Sequence, residues 1–445
     1  MTDVPRPGLT RGPAGADPPG VTTFDALVLG AGPAGLGAGL MLAREGARAA
    51  VVEARGEVGG LCVTRRHRGF AYDVGGHIPF VRDRARLEWL RDLLGDDLRR
   101  VDRPVACVRA GRIVPGRYLD QRPDPPEPPG RRDESARGEL AARFGGAFVD
   151  RAMRPYLEKI DGVPLERIPG ERARRLLEDQ AAPDGFVFPA HGIGQLMDAM
   201  AEAAEEAGAE LRLGTRLAAI RVPGGRMQGA LVEGPGGREE LAAAQAVVAM
   251  PPGAAARLAE PAAPPSATPD VRMRAVCIVY LELATPAGRL TPEAWIQVDD
   301  PRVPFSRAFE PVNWSPALAP AGRTAVGLEC YCRADPADPV WGLEDAVLAR
   351  ACARALADPL GWLDDPSAAT PLEVLRLPRA YPVPDLAQVP AVRAPALWLD
   401  GLEGVHLAPG SAVIEAIEAG ERAARAALAG EAGPHVDPAA VPPIS

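Results

Sequence analysis

A glycine-rich turn near the amino terminus constrains the fold of this chain more than any other stretch. The turn follows the short apolar run 25–29, which predicts a parallel strand buried on both faces. A helical pattern then continues to Gly46, and a second apolar run ends at Val52. This order of strand, turn, helix and strand predicts an α/β protein with a doubly wound, Rossmann-type domain.

The residues of the turn suit the pyrophosphate of a dinucleotide. The first glycine allows a tight turn, the second lets the backbone approach the phosphates, and the third brings the helix close to the sheet. The N–H groups at the start of the helix then face the negative charge. The predicted contacts are Gly30, Gly32, Pro33, Ala34 and Gly35.

An acidic residue ends the second strand of this unit. Glu53 lies about 20 residues beyond the middle glycine, where a carboxylate binds a ribose hydroxyl. A carboxylate disfavours a 2′-phosphate at that position, so NADP is not the expected ligand.

Two further glycine pairs follow, at Gly59-Gly60 and at Gly75-Gly76. A long cofactor whose ring system lies far from the first turn needs such additional close approaches. With the opening turn and Glu53, these residues resemble FAD enzymes of the amine oxidase and protoporphyrinogen oxidase type. The resemblance extends over nearly the whole chain after residue 23.

The resemblance implies a non-covalently bound FAD and a role for several loops. The loop after Glu53 would lie beside the ribityl chain, the second glycine pair near the flavin ring, and one later strand beside the adenine. His77 could instead be a loop histidine satisfied by its neighbours. The residues implied are Ala54, Arg55, Gly59, Gly60, Leu61, Gly75, Gly76, His77 and Leu217.

Composition excludes several other classes of protein. The net charge of -9 argues against a nucleic-acid surface. Six cysteines and five histidines are scattered without zinc spacing, so we expect no metal site and a reduced, cytoplasmic protein. Residues 1–23 predict a flexible leader rather than a signal peptide, and no run is long enough to span a membrane.

The remaining pattern predicts a second, inserted domain. We expect the FAD domain at 24–105, 186–260 and 394–430, and a mixed α+β substrate domain at 106–185 and 261–393, with a tail at 431–445. Predicted helices include 84–94, broken pieces over 138–175, and 343–356. Predicted strands include 271–283, 324–332 and 372–377, while the proline-rich stretch 121–134 predicts a surface loop.

The closing stretch 410–425 is similar to the last motif of amine oxidase-type flavoproteins. The resemblance implies that the helix start at Ala412 and Val413 points at the flavin, where its dipole would favour hydride acceptance. An alanine-rich packing helix is the alternative. The same resemblance puts Gly401 in a flavin-side loop that follows the run 396–399, with His406 either directed into the cavity or at the surface.

Within this superfamily, several segments look closest to a bacterial branch related to UDP-galactopyranose mutase. Tyr156-Leu157-Glu158-Lys159-Ile160-Asp161-Gly162 is similar to a Tyr-x-x-Lys-x-Trp-Gly segment of that branch. In the mutases, the residues that match Arg307 and Tyr381 hold a substrate diphosphate. A guanidinium can grip phosphate or carboxylate with two parallel hydrogen bonds, although a structural ion pair is equally open for Arg307.

Three positions depart from the mutases or stand out by themselves. Asp161 replaces the tryptophan of the segment, and the stretch after Gly401 lacks the arginine that mutases carry near the flavin. Both departures weaken the case for mutase activity. Lys159, the only lysine, is either a base or, as we slightly prefer, an ion-pair partner of Glu158 or Asp161.

Three functions remain open at this point. The first is an FAD-dependent oxidoreductase that takes a hydride from a C–N or C–C unit of a small molecule bordered by His77, Arg307 and Tyr381. The second is a non-redox, flavin-dependent isomerase of a sugar nucleotide, and the third is a flavin-binding protein without turnover. Peripheral membrane contact is conceivable because some relatives of this type dock on membranes, and the sequence says nothing of oligomeric state.

Overall fold

The structure, a computed structural model, describes residues 21–102, 104–109, 111–121, 128, 130–180, 186–285, 287–410 and 412–431. Residues 122–127 and 129 of the predicted loop 121–134 therefore lie outside the described residues, as do the leader before residue 21 and the predicted tail beyond 431. Among the helices in these ranges, none combines the length and apolarity that a bilayer crossing needs.

The strands are numbered in chain order. They are β1 (Val21–Thr23), β2 (Ala26–Leu29), β3 (Ala49–Val52), β4 (Thr64–His67), β5 (Phe70–Asp73), β6 (Leu98–Val101), β7 (Val105–Arg109), β8 (Arg112–Pro115), β9 (Phe186–Pro189), β10 (Glu210–Arg212), β11 (Arg216–Arg221), β12 (Gly229–Gly234), β13 (Gly237–Ala242), β14 (Ala246–Val248), β15 (Ala259–Glu260), β16 (Met273–Ala284), β17 (Trp295–Gln297), β18 (Arg307–Phe309), β19 (Arg323–Cys332), β20 (Ala369–Pro382) and β21 (Val405–Leu407).

The helices are numbered in the same way. They are α1 (Pro33–Arg44), α2 (Arg84–Leu94), α3 (Ala136–Phe144), α4 (Gly146–Phe148), α5 (Arg154–Asp161), α6 (Gly170–Gln180), α7 (Ile193–Glu206), α8 (Pro252–Arg257), α9 (Asp345–Ala357), α10 (Val389–Asp400) and α11 (Val413–Ala429). A π-helical stretch, Val149–Met153, connects α4 with α5.

A fully parallel sheet forms the Rossmann-like part of the molecule. Its order is β10-β3-β2-β14-β21, so three distant parts of the chain contribute strands. β2 and β3 are buried along their whole length, as expected for parallel strands covered on both faces. The α/β, doubly wound fold predicted from the sequence is confirmed.

Helices α1 and α11 cover one side of this sheet and touch through glycines. A methyl group at Gly37 would lie 2.6 Å from the carbonyl oxygen of Ile417, and one at Gly420 would overlap the carbonyl oxygen of Ala34. The first and last helices of the Rossmann part are therefore in backbone contact. This contact brings both helix starts to one edge of the sheet.

A seven-stranded mixed sheet, ordered β20-β16-β19-β18-β17-β7-β8, forms a second layer. Its pairs are antiparallel except for β17 with β7. Successive side chains of a strand face opposite sides, so Cys330 joins the core under α9 while its neighbour Tyr331 faces away from it. The face opposite α9 forms one wall of the cavity described below.

The helices α3 to α6 pack together as a separate cluster, with α4 and α5 joined by the π-helical stretch. Tyr156, Leu157 and Ile160 of α5 contribute to this cluster and also line the cavity. A five-stranded sheet, β1-β13-β12-β11-β15, and the ribbons β4-β5 and β6-β9 complete the described part.

The predicted flavin-side position of Gly401 is wrong. The run 396–399 belongs to α10, and Gly401 ends that helix before β21 begins. β21 runs parallel to β2, so Gly401 lies at the amino end of the sheet, whereas the glycine-rich turn follows its carboxyl end. The resemblance therefore placed the flavin-side loop one element too early, before β21 instead of after it.

Candidate active site

The glycine-rich turn has the shape that a diphosphate needs. Gly30 has φ +109°, and a methyl group there would lie 2.9 Å from the carbonyl oxygen of Ala249. A methyl group at Gly35 would overlap the carbonyl oxygen of Gly30, so only a glycine lets the helix start pack this closely on the turn. A methyl group at Gly32 would meet no described atom within 4 Å, which leaves the outer side of the turn open for a ligand.

Both helices at this edge begin without a side-chain cap. The N-cap of α1 is Gly32 and that of α11 is Ala412, and neither has a side-chain oxygen that could accept an N–H of the first turn. Pro33 and Ala34 form the first turn of α1. Uncapped N–H groups with a partial positive charge favour an anionic ligand at both positions.

Glu53, the residue expected to bind a ribose hydroxyl, lies against the glycine-rich turn. Its Oε2 accepts the Ala31 N–H at 3.0 Å, and its Oε1 accepts the Arg55 N–H at 2.9 Å. The carbonyl of Glu53 accepts the Thr215 N–H at 2.8 Å, which brings the start of β11, with the buried Leu217, next to it. The neighbouring Ala54 is exposed.

The loop after Glu53 packs on the turn itself. Gly59 donates its N–H to the carbonyl of Ala31 at 2.8 Å, and Arg55 Nη1 donates to the carbonyl of Gly60 at 2.8 Å. Leu61 follows and remains 41% exposed, although it is a large apolar side chain beside a cavity. A bound cofactor would cover it.

A cavity of about 480 Å³ begins at this edge and extends between the mixed sheet and the helical cluster. Many of the residues singled out in the sequence meet there. They are Leu61, Gly75, Gly76, His77, Arg307, Tyr381, Ala412 and Val413. The loops expected to border the flavin thus share one cavity with the residues expected to border the substrate.

Arg307 and the predicted flavin-ring loop are joined by Glu329. Arg307 Nη1 lies 3.2 Å from Glu329 Oε2, which also accepts the Tyr331 hydroxyl at 2.7 Å. Glu329 Oε1 accepts the Gly76 N–H at 3.3 Å. The ion pair is therefore a wall of the cavity and not a surface contact.

A second arginine, Arg172 of α6, reaches the same cavity from the helical cluster. Its Nη2 lies 3.5 Å from Oδ1 of Asp161, which is fully buried. Burial raises the pKa of Asp161, and the two guanidinium groups of Arg172 and Arg274 oppose this shift. Asp161 thus sits behind Arg172 and outside the cavity lining.

Several polar atoms around this cavity are buried without a hydrogen-bond partner among the described residues. They are Tyr156 Oη, Tyr381 Oη, Arg307 Nε, Arg172 Nε and His77 Nδ1. A buried polar group without a partner costs about 1–3 kcal/mol, so a group of them indicates that a polar ligand or water binds there. These groups converge from four separate parts of the chain: the loop after β5, the helices α5 and α6, β18 and β20.

Each arginine that lines the cavity is paired with a carboxylate, although Glu329 is the one carboxylate of these pairs that itself lines the cavity. Arg117, Arg172 and Arg307 line it, and each contacts a carboxylate, of Asp120, Asp161 and Glu329 respectively. Burial lowers the pKa of His77 to about 4, so its imidazole is neutral at physiological pH.

The structure moves two other candidates away from the site. His406 lies in β21, is fully buried, and its Nε2 donates to Oε1 of Gln245 at 2.6 Å, so it is neither directed into the cavity nor at the surface. Lys159 does not pair with Glu158 or Asp161. Glu158 pairs with Arg154, while Lys159 donates to backbone carbonyls.

Sequence reasoning did not identify Glu329, Tyr331, Arg172 or Trp314 as parts of the site. Alternation along β19 could have indicated that Glu329 and Tyr331 share a face opposite Cys330. Arg172 is one of many arginines in this chain, and only its tertiary position distinguishes it.

The parallel sheet, the glycine-rich turn and Glu53 define an FAD-binding protein of the Rossmann type. The chain belongs to the flavin containing amine oxidoreductase family, which matches residues 108–428. Residues 28–93 match the NAD(P)-binding Rossmann-like domain. A comparison with curated proteins gives no match.

Solved structures of similar fold include both redox and non-redox flavoproteins. A reduced UDP-galactopyranose mutase has a TM-score of 0.73 at 18% identity, over 91% of this chain and 95% of that chain. A protein from Exiguobacterium sp. 255-15 assigned as a protoporphyrinogen oxidase has a TM-score of 0.67 at 17% identity, over 91% of this chain and 98% of that chain. A putrescine oxidase bound to putrescine has a TM-score of 0.66 at 19% identity, over 91% of this chain and 99% of that chain.

Proposed function

We propose that this protein is an FAD-dependent oxidoreductase that takes a hydride from a C–N or C–C unit of a small molecule carrying one carboxylate. One observation carries the proposal. Arg307 Nε and the Tyr156 and Tyr381 hydroxyls are buried and have no hydrogen-bond partner in the described part of the chain, and they lie around the cavity that also contains the Gly75–His77 loop.

The residues of the cavity suit substrate alignment. Arg307 is fixed on one side by Glu329, which leaves its Nε–H free to donate to a carboxylate oxygen. The hydroxyls of Tyr156 and Tyr381 supply further donors. Phe309, stacked on Trp314 with ring centroids 5.1 Å apart, adds an apolar wall that excludes water.

FAD, when bound, supplies the hydride acceptor. For this chemistry the protein has to align the substrate and exclude water more than it has to supply a strong base. This requirement agrees with the neutral His77 and with a wall whose carboxylates are already paired. His77 Nδ1 remains available for one hydrogen bond to substrate or cofactor.

The charge of the wall favours a single carboxylate over a diphosphate. Each lining arginine already contacts a carboxylate, so a ligand with two or more negative charges would bring net charge into a partly desolvated cavity. A monoanion needs only the donors that are left without partners. We therefore expect amines or other reduced compounds that carry one carboxylate.

Anaerobic mixing tests this proposal. Candidate amines with and without a carboxylate, porphyrinogens and nucleotide sugars are mixed with the purified protein while the visible absorbance of its flavin is followed. Bleaching by a carboxylate-bearing compound, and not by its decarboxylated analogue, is the expected result. Bleaching by no compound, with turnover of a nucleotide sugar only after prior reduction, would overturn the proposal.

That second outcome corresponds to a non-redox isomerase acting on a sugar nucleotide. The observation in its favour is that two arginines, Arg172 and Arg307, reach one cavity in a fold shared with a UDP-galactopyranose mutase. The isomerase is the second choice because both guanidinium groups are already paired with carboxylates. In addition, Asp161 stands in place of the mutase tryptophan.

A further inference from the structure

The only lysine of the chain is bound by backbone oxygens. Lys159 Nζ donates to the carbonyls of Phe305 at 2.7 Å, Asp300 at 2.8 Å and Val298 at 3.4 Å. All three carbonyls belong to one loop, residues 298–306. An ammonium group has three N–H donors, so it can satisfy three carbonyls that converge on it.

This loop leads directly to Arg307. Val298 donates its N–H to the carbonyl of Ser306 at 2.9 Å, which closes the loop, and Ser306 donates its N–H to the carbonyl of Glu329 at 2.9 Å. Arg307 follows as the first residue of β18. The position of its guanidinium therefore depends on how the loop is held.

Lys159 also belongs to the helix that carries Tyr156. The two residues are three positions apart in α5, and Tyr156 lines the cavity. The ammonium group of Lys159 thus connects a helix that lines the cavity with the loop that precedes Arg307.

We propose that Lys159 is a positioning residue, whose ammonium group ties the 298–306 loop to α5 and thereby holds Arg307 in place for the substrate. The part that concerns substrate rests on the proposed function, while the tie between loop and helix does not. Lys159 itself does not line the cavity.

The hydrogen bonds between Lys159 and the 298–306 loop should depend on pH. Burial lowers the pKa of Lys159 to about 8, and the groups that face it with opposite effect are Cys330 of β19 and Asp299 and Asp300 of the loop. A neutral amine has two donors and a lone pair, so one carbonyl would then face a lone pair. The loop should therefore loosen as the pH rises through about 8.

Hydrogen exchange of the FAD-bound protein tests the tie directly. Lys159→Met should speed exchange of the amides in residues 298–306 by about tenfold or more, because the three carbonyls lose their shared donor. Arg302→Ala is the matched control, since it removes an exposed ion pair with Asp300 within the same loop. Equal exchange in Lys159→Met and the wild type would overturn the proposal.

A second measurement uses benzoate, which is a monoanion throughout the range examined, as a probe of the arginine. Its affinity is read from the change in visible absorbance of the bound flavin at a series of pH values. The wild-type affinity should fall as the pH rises through about 8. The affinity of Lys159→Met should be about tenfold weaker at neutral pH and should not change over that range.

Hydrogen exchange and benzoate binding separate the claim that Lys159 holds the loop from the claim that Arg307 binds a carboxylate. If benzoate leaves the wild-type spectrum unchanged at every pH, the carboxylate site fails, and loop exchange alone decides the role of Lys159. If benzoate binds equally well to the wild type and Lys159→Met, Lys159 does not position Arg307. The wild-type pH series needs no substitution and therefore stands even where the variant folds poorly.

Discussion

Arg307 Nη1 and Glu329 Oε2 lie 3.2 Å apart, and Glu329 at the same time accepts the N–H of Gly76 through its other oxygen at 3.3 Å. One carboxylate thus connects the arginine proposed to bind substrate with the loop expected to border the flavin ring. This relationship ties the two halves of the cavity together and determines how much positive charge Arg307 presents.

Neutralising that carboxylate should change which anions bind. Glu329→Gln keeps an acceptor for the N–H of Gly76 but removes the charge that compensates Arg307, so the wall gains one unpaired positive charge. We expect pyrophosphate to bind about tenfold more tightly, roughly 1.4 kcal/mol, as measured by titration of the flavin absorbance. Glu403→Gln, an equal charge change at a distant exposed ion pair, should leave pyrophosphate binding unchanged.

Two glycines of the same turn should respond differently to an added methyl group. Gly35→Ala should cost about 1–3 kcal/mol of unfolding free energy, because the methyl overlaps the carbonyl of Gly30. Gly32→Ala should leave the stability of the FAD-free protein unchanged and weaken FAD binding, because its methyl enters the space left for the diphosphate. Denaturant unfolding and FAD titration distinguish the two. Equal loss of stability in both variants would contradict the assignment of Gly32 to the phosphate side.

Two tyrosines with rings 5.3 Å apart offer a matched comparison. Tyr156→Phe removes a hydroxyl that has no partner among the described residues, so stability should not fall while substrate affinity does. Tyr118→Phe removes a hydroxyl that donates to the carbonyl of Val108 and accepts the N–H of Asp299, and should cost about 1–3 kcal/mol. Thermal unfolding of both variants checks this. A large destabilisation by Tyr156→Phe would mean that its hydroxyl serves the fold.

His406 should contribute a pH dependence to stability. Burial lowers its pKa to about 4, so the unfolded chain binds a proton at this residue below about pH 6.5 while the folded chain does not. Stability is therefore lost as the pH falls through about 6.5 toward 4. Between pH 7.5 and 5, the wild type should lose about 2 kcal/mol more than His406→Gln in urea unfolding. Equal losses of unfolding free energy in the wild type and His406→Gln would contradict the lowered pKa of His406.

The parts of the fold that depend on local pattern could be predicted from the sequence. The turn at Gly30 needs a glycine because φ is +109°, and α2 spans the predicted residues Arg84–Leu94 because its apolar spacing is regular. The run 25–29 and the strand ending at Val52 likewise form the neighbouring parallel strands β2 and β3.

The parts of the site that depend on tertiary position could not be predicted from the sequence. Arg172 and Asp161 meet only because α5 and α6 pack together, and no local pattern separates Arg172 from the other arginines of the chain. Lys159 has charged neighbours in the sequence, yet it bonds carbonyls about 140 residues away. Gly401 was misplaced because an apolar run as short as 396–399 does not distinguish a buried strand from part of a helix.

The most direct measurement is the affinity of benzoate for the FAD-bound wild type and for Arg307→Lys, read from the visible absorbance of the flavin. Lysine keeps a positive charge opposite Glu329 but lacks the planar fork of the guanidinium. We predict a saturable change in the wild type and an affinity about tenfold weaker in the variant, with equal FAD content. Equal affinity in both proteins would contradict the proposal that Arg307 binds the substrate carboxylate beside the flavin.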